Sequence, residues 1–290
     1  MSTDPAQERQ IMKGQPPEAK PPKGIDAEMP FLDHLEELRW RIIKGLIGIA
    51  VGILLALIFS NFVINKILLG PTHKDFFIYK FLHISAVDVI LQSRKLPGQF
   101  FTYWGTLIVM GAIAGAPVFF YQLYAFIQPA LGVHGKKSTR GIVFFISFLF
   151  IIGVSFGYLI LTPFALQFFT QFTISDVVQN FFDVNAYFSS LAMWILSCGI
   201  IFQLPMVTYF LTKIGLLTPE FLRKYRRHAI VVCFVLGAAL TPPDPLSQGL
   251  VAIPLVLLYQ VGIWISKVTE RRRKREIFGD DQPEASSTEN

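Results

Sequence analysis

Carboxylates are scarce through the middle of this 290-residue sequence. Between Gly45 and Ile265 the acidic residues are Asp75, Asp88, Asp176, Asp183, Glu220 and Asp244, and each lies between apolar runs rather than inside one. A soluble core would break its helices with a polar face at every turn, whereas a helix bathed in lipid can be apolar all round. With 52% hydrophobic residues, 16% charged residues and a mean hydropathy of +0.49, the ordinary soluble class is excluded. The chain reads as an all-α polytopic membrane protein.

Other absences narrow the function. The five histidines (His34, His73, His83, His134 and His228) are scattered, with no second ligand at metal spacing. No P-loop or nucleophile elbow is present, so neither an enzyme nor a cofactor is expected. The two cysteines, Cys198 and Cys233, sit inside apolar runs and read as small packing residues. No cleavable signal peptide is visible, since residues 1–28 are polar and the first apolar run starts after Arg41. The formal net charge of +6 does not imply nucleic acid, because no basic stretch belongs to a module that reads bases. Internal repeats are not evident, which weakens a secondary-transporter reading.

What is present is a set of long apolar runs. Residues 1–28, rich in proline and charge, are expected to form a disordered cytoplasmic tail. In Met29–Arg41 the apolar residues Phe31, Leu35 and Leu38 recur at helical spacing toward Ile42, predicting an amphipathic headgroup helix that runs into the first span. A bilayer core of roughly 30 Å needs about 20 apolar residues per helix. The candidate spans are 46–64, 100–126, 142–166, 187–211, 229–240 and 250–265, giving a membrane domain over 29–266. The last two are short and joined by Thr241-Pro-Pro-Asp-Pro245, so this hairpin either thins the bilayer locally or leans on its neighbours, with a re-entrant loop as the alternative. Residues 267–290 form a second cytoplasmic tail, expected to be disordered past Phe278.

Lysine and arginine set the orientation. Twenty-one of them fall in the N-terminal tail, loops 129–141 and 212–228, and the C-terminal tail; five fall in loop 65–99, and none in 167–186 or 241–247. The richer set marks the cytoplasm, so six spans with both termini inside is the consistent topology. Segments 65–99 and 167–186 are then two caps on the outer face.

No charged side chain interrupts the spans, which argues against a small-ion pathway and suits a platform for other helices. The polar residues at depth are Gln203 and Thr208, with Pro117, Pro163, Pro205 and Pro254 as possible kinks. Gln203 bonds either a neighbouring span or a partner helix, at about 1–2 kcal/mol. Glycines four apart (Gly48/Gly52, Gly111/Gly115, Gly153/Gly157) fit close helix packing. Asp33, Glu36 and Glu37 sit at the cytoplasmic surface, where they either accept a guanidinium bidentately or pair along the helix, Glu37 with Arg41 at i, i+4.

Phe31-Leu-Asp-His-Leu-Glu-Glu-Leu-Arg39, Ala116-Pro-Val-Phe-Phe-Tyr-Gln-Leu-Tyr-Ala-Phe-Ile-Gln-Pro-Ala-Leu131, Phe202-Gln-Leu-Pro205, Leu240-Thr-Pro-Pro-Asp-Pro-Leu-Ser-Gln248 and Ala252-Ile-Pro254 resemble the TatC family in order and spacing. The resemblance spans residues 30–266 and implies the core subunit of the twin-arginine translocase. Such a subunit sits in the bacterial inner membrane, binds Arg-Arg signal peptides of cargo proteins, and assembles with single-helix TatA/TatB-type subunits and with itself. Folded proteins are then exported on the proton-motive force without ATP. For the signal peptide the resemblance implies Glu37, with Glu36 and Arg39 beside it, and Phe126, Pro129 and Leu131. For the partner helix it implies Gln203, Pro205 and Thr208. Pro71, Asp244 and Gln248 match loop positions.

One position departs. His134-Gly135-Lys136-Lys137 carries glycine where the family usually has an acidic residue, so Glu36, Asp33 or a partner must supply that charge, or signals bind more weakly. The competing functions are a secondary transporter of a small solute, which needs an ionisable group at depth, and a scaffold without cargo recognition.

Overall fold

The computed structural model describes residues 31–85, 88–128, 136–175, 177, 180–241 and 245–278. The chain divides into two compact units, Met1–Leu38 and Arg39–Asn290. In the first, the described residues are the opening turns of α1. That helix (Phe31–Ile58) carries both the predicted amphipathic segment and most of the first apolar run.

Within the second unit the order is α2 (Phe77–Phe81), β1 (Leu91–Gln92), α3 (Gly98–Ile127), α4 (Lys136–Phe156), α5 (Thr162–Gln171) and β2 (Phe182–Asp183). Then follow α6 (Val184–Ile201), α7 (Leu204–Lys213), α8 (Pro219–Lys224), α9 (Arg226–Leu240) and α10 (Pro245–Phe278). A π-helical stretch, Gly157–Leu161, joins α4 to α5. Among the described residues five helical stretches are long and apolar enough to cross a membrane: Glu36–Ile58, Gly98–Ile127, Arg140–Gln171, Val184–Lys213 and Ser247–Arg275. The fifth expected span is α9, at 15 residues.

The expectation that the last helix is short is corrected: α10 has 34 residues. Pro245 is its first residue, where a missing N–H costs nothing. Beyond Ile265 the straight-chain Glu, Arg and Lys residues favour helix, and Lys274 pairs Glu270 at 3.2 Å across one turn. Hydropathy alone ends the element where the lipid-soluble residues end, but the backbone continues.

Small residues set the helix contacts. A Cβ at Gly52 would lie 2.2 Å from the Gly111 carbonyl oxygen, and one at Gly115 would lie 2.6 Å from the Ile49 Cα, so α1 and α3 meet backbone to backbone. Gly153 and Gly157 do the same against Cys198, Gly199 and Ile195 of α6. The glycine pairs thus pack as expected. Cys198 and Cys233 are both buried and free, in one cluster with Leu161, Trp194 and Val251.

The two segments expected to cap the same end are joined there. Leu91 and Gln92 pair in parallel with Phe182 and Asp183, and Arg94 donates to the Phe181 carbonyl at 3.2 Å. After α1, residues Phe62–Leu68 wind as a π-helix and Gly70–Thr72 as a 3₁₀ turn. The carbonyls released by this irregular winding need donors, and three tyrosines supply them. Tyr158 donates to Ile67 at 2.5 Å, Tyr187 to Leu68 at 2.6 Å, and Tyr79 to Pro71. Burial, with Tyr158 nearby, pushes the Tyr79 phenol up to about 12, so it remains a donor at neutral pH.

Candidate peptide- and helix-binding sites

The predicted peptide-binding residues fall at one end of α1 and at the end of α3. Glu36 and Arg39 are exposed, and Glu37 is half-buried. Neither Glu37 nor Arg41 lacks a partner. Phe126 lies in the last turn of α3, half-buried and engaged. Glu36 and Glu37 belong to the first unit and Phe126 to the second. Pro129, Leu131, Gly135 and Asp244 lie outside the described residues, as does the Asp33 side chain.

The predicted helix-binding residues lie where the fourth apolar run breaks. Phe202 and Gln203 form a turn between α6 and α7. Pro205 has no N–H to give the Ile201 carbonyl, so the α-helical ladder cannot pass through it. The Gln203 N–H instead bonds Ile200 at 3.0 Å, and α7 restarts with Met206 and Val207 donating to the Gln203 carbonyl at 2.9 and 3.0 Å. The break turns the Gln203 side chain toward α4, where its Nε2 donates to the Ile146 carbonyl at 3.2 Å.

The other half of that amide is different. Gln203 Oε1 is buried with no hydrogen-bond donor among the described residues, and the same holds for the hydroxyls of Tyr124 and Ser147. Tyr124, Ile146 and Met206 form one buried cluster, and Ser147 follows Ile146. The Tyr124 and Gln203 atoms thus lie where α3, α4 and α7 meet, and the Ser147 hydroxyl belongs to the residue after Ile146 on α4. Each such atom costs about 1–3 kcal/mol while its demand is unmet.

Thr208 does not join Gln203. Its hydroxyl donates back to the Leu204 carbonyl at 2.9 Å, and its Oγ1 lies 3.2 Å from where a Gly262 Cβ would be, against α10. Gln203 therefore reaches α4 while Thr208 packs on α10. Pro205 is buried at the start of α7. At the far hairpin, Gln248 Nε2 donates to the Phe234 carbonyl at 3.3 Å, tying α10 to α9. Pro71 is buried, its carbonyl taken by Tyr79.

Periodicity and composition passed over the contacts that hold the loop after α7. Thr212 Oγ1 donates to Ser266 Oγ at 2.9 Å, both buried, and Arg273 donates to the Thr212 carbonyl at 3.4 Å. Gly215, with φ of +87°, turns the chain beneath that guanidinium, where a Cβ would stand 2.3 Å from its Nη1. A lone glycine four residues before a charged helix was the available signal.

Known proteins share this architecture. The family model for the Sec-independent protein translocase protein (TatC) matches residues 33–254. A TatC of Blattabacterium from Periplaneta americana is 38% identical over 260 residues, covering 85% of this chain and 98% of that protein. The Aquifex aeolicus TatC is 33% identical over 85% of this chain and 98% of that one, and TatCy of Bacillus subtilis 31% identical over 87% and 94%. A crystal structure of a twin arginine translocase receptor, TatC, in DDM superposes with a TM-score of 0.66 at 34% identity, covering 80% of this chain and 99% of that one. With its apolar helices and these bacterial relatives, the chain is a membrane protein of the TatC family, a family of protein translocase components rather than enzymes.

Proposed function

We propose that this chain is the core subunit of a twin-arginine translocase. It docks Arg-Arg signal peptides at its cytoplasmic face and recruits single-helix TatA/TatB-type subunits for proton-motive-force-driven export of folded proteins. The observation that carries the reading is Glu37, a half-buried carboxylate in the turns of α1 that lead into an apolar span. A guanidinium meets such a carboxylate through two parallel charge-assisted bonds, which lysine cannot reproduce. The resemblance adds Glu36, Arg39, Phe126, Pro129 and Leu131 as further contacts of the peptide.

The lysine and arginine distribution supports six spans with α9 as the fifth, both termini in the cytoplasm, and the inner membrane as the location. For the partner helix, Gln203 Oε1 offers an acceptor whose demand is unmet. Pro205 fixes the break that presents it, and Thr208 holds α7 against α10 from behind. Pro71, Asp244 and Gln248 shape the loops at the ends of the spans.

Photocross-linking from residue 126 to an Arg-Arg signal peptide tests the reading. Glu37→Ala is expected to abolish the cross-link, as is a Lys-Lys peptide with the unaltered protein. A cross-link that survives both changes would refute peptide docking at this face.

A further inference from the structure

The outer cap carries large apolar side chains on the wrong side of an ordinary loop. Phe77 and Phe81 lie one turn apart on α2 and share a face, and both are exposed, while Ile78 and Tyr79 between them are buried. Leu96, just before α3, is fully exposed. All three lie outside the five membrane-crossing stretches. A soluble loop seldom leaves phenylalanines in water, and a grouped set marks a surface that something covers.

Depth identifies the cover. Tyr158 lies 18 residues past Arg140 in the third crossing stretch, about 27 Å along it at 1.5 Å per residue. The Phe76 ring stacks edge-on to the Tyr158 ring at 5.8 Å, and Tyr79 is tied to Pro71 in the same corner. The short helix therefore sits level with the far edge of a roughly 30 Å hydrocarbon layer rather than above it. From Leu96 the exposed apolar surface continues directly into Phe100, Phe101 and Trp104 on the lipid-facing side of α3. Lys74, Lys80 and Lys95 are exposed among these residues and belong to the basic group that stands on the outer side against the usual charge bias. Aromatic and aliphatic side chains interleaved with lysines at the headgroup level are what an anionic bilayer surface binds.

We propose that the exposed face of α2 and the turn before α3 are seated in the outer leaflet, with Phe77, Phe81 and Leu96 among the upper acyl carbons and Lys74, Lys80 and Lys95 on anionic lipid phosphates. This rests on the six-span topology proposed above, which puts the segment outside. The cap is then a fixed part of the lipid boundary rather than a lid free to lift from it.

The test uses the full-length protein with Cys198→Ala and Cys233→Ala, carrying a single polarity-sensitive fluorophore at Phe81→Cys, Leu96→Cys or, as an exposed polar control, Asp88→Cys. In vesicles of phosphatidylcholine with phosphatidylglycerol, a spin label high on the lipid acyl chain is expected to quench the first two probes at least twice as strongly as the control. In the same vesicles Lys74→Glu/Lys80→Glu/Lys95→Glu should halve that difference, and in phosphatidylcholine alone it should change nothing. Equal quenching at all three sites would overturn the proposal, as would probes at 81 and 96 shielded from aqueous iodide yet unquenched by lipid, the signature of a protein partner. The same difference with and without phosphatidylglycerol would overturn the headgroup assignment. An impermeant thiol reagent on intact spheroplasts labels Asp88→Cys if the segment faces out; labelling only after lysis would refute the topology instead.

Discussion

The Gln203 side-chain amide donates to the Ile146 backbone carbonyl at 3.2 Å, leaving its own oxygen buried and without a donor. One half of the group thus serves the fold, and the other half is a buried acceptor whose demand is unmet. Gln203→Leu is expected to cost the isolated protein less than about 1 kcal/mol, since one interhelical bond averages about 0.6 kcal/mol in membranes and an unmet acceptor is removed with it. Melting in detergent should stay near that of the parent while recovery of single-helix subunits falls. Equal recovery would refute the partner role.

The Tyr187 hydroxyl donates to the Leu68 carbonyl through a buried 2.6 Å bond. Tyr187→Phe strands the Leu68 carbonyl at a cost of about 1–3 kcal/mol. A melting temperature lowered by several degrees is expected, while Tyr121→Phe, at an exposed site, leaves it unchanged. Similar behaviour of the two variants would count against the tyrosine anchors.

Gly52 and Gly105 make a matched pair of probes. A side chain at Gly52 collides with α3 backbone, which cannot move aside as a flexible side chain does, so Gly52→Val should destabilise by about 3 kcal/mol. Gly105 has nothing within 4 Å of a built Cβ, and Gly105→Ala should be neutral or slightly stabilising. Thermal melting in detergent checks both; a tolerated Gly52→Val would mean that α1 and α3 do not touch as described.

Gly135→Glu restores the acidic residue that the resemblance leads one to expect. Tenfold tighter binding of an Arg-Arg peptide is predicted, about 1.4 kcal/mol, close to the lower end of what a hydrogen bond to a charged group contributes. Peptide titration against the purified protein measures it, and unchanged affinity would show that the missing carboxylate is supplied elsewhere or is not needed.

The helices were legible because apolar runs report lipid exposure residue by residue, and the glycine pairs because backbone contact in lipid leaves no alternative to small residues. Tyr79, Tyr158 and Tyr187 were not, since their partners are main-chain carbonyls whose positions depend on π and 3₁₀ winding invisible in composition. Thr208 looked like a companion to Gln203 because both are polar at depth. Five residues along a helix turns a side chain well away from the first, and only the packed neighbours reveal that one reaches α4 and the other α10. The two-residue ladder between Leu91 and Phe182 was beyond any periodicity argument, being shorter than one period of evidence.

The last helix is 34 residues long, about 51 Å at 1.5 Å per residue, and exceeds the apolar layer by some 20 Å. Near its C-terminal end Arg273 grips the Thr212 carbonyl, and at its start Gln248 grips α9. One continuous helix thus carries the arginine-rich stem and one arm of the hairpin, and it is tied to α7 near one end and to α9 near the other.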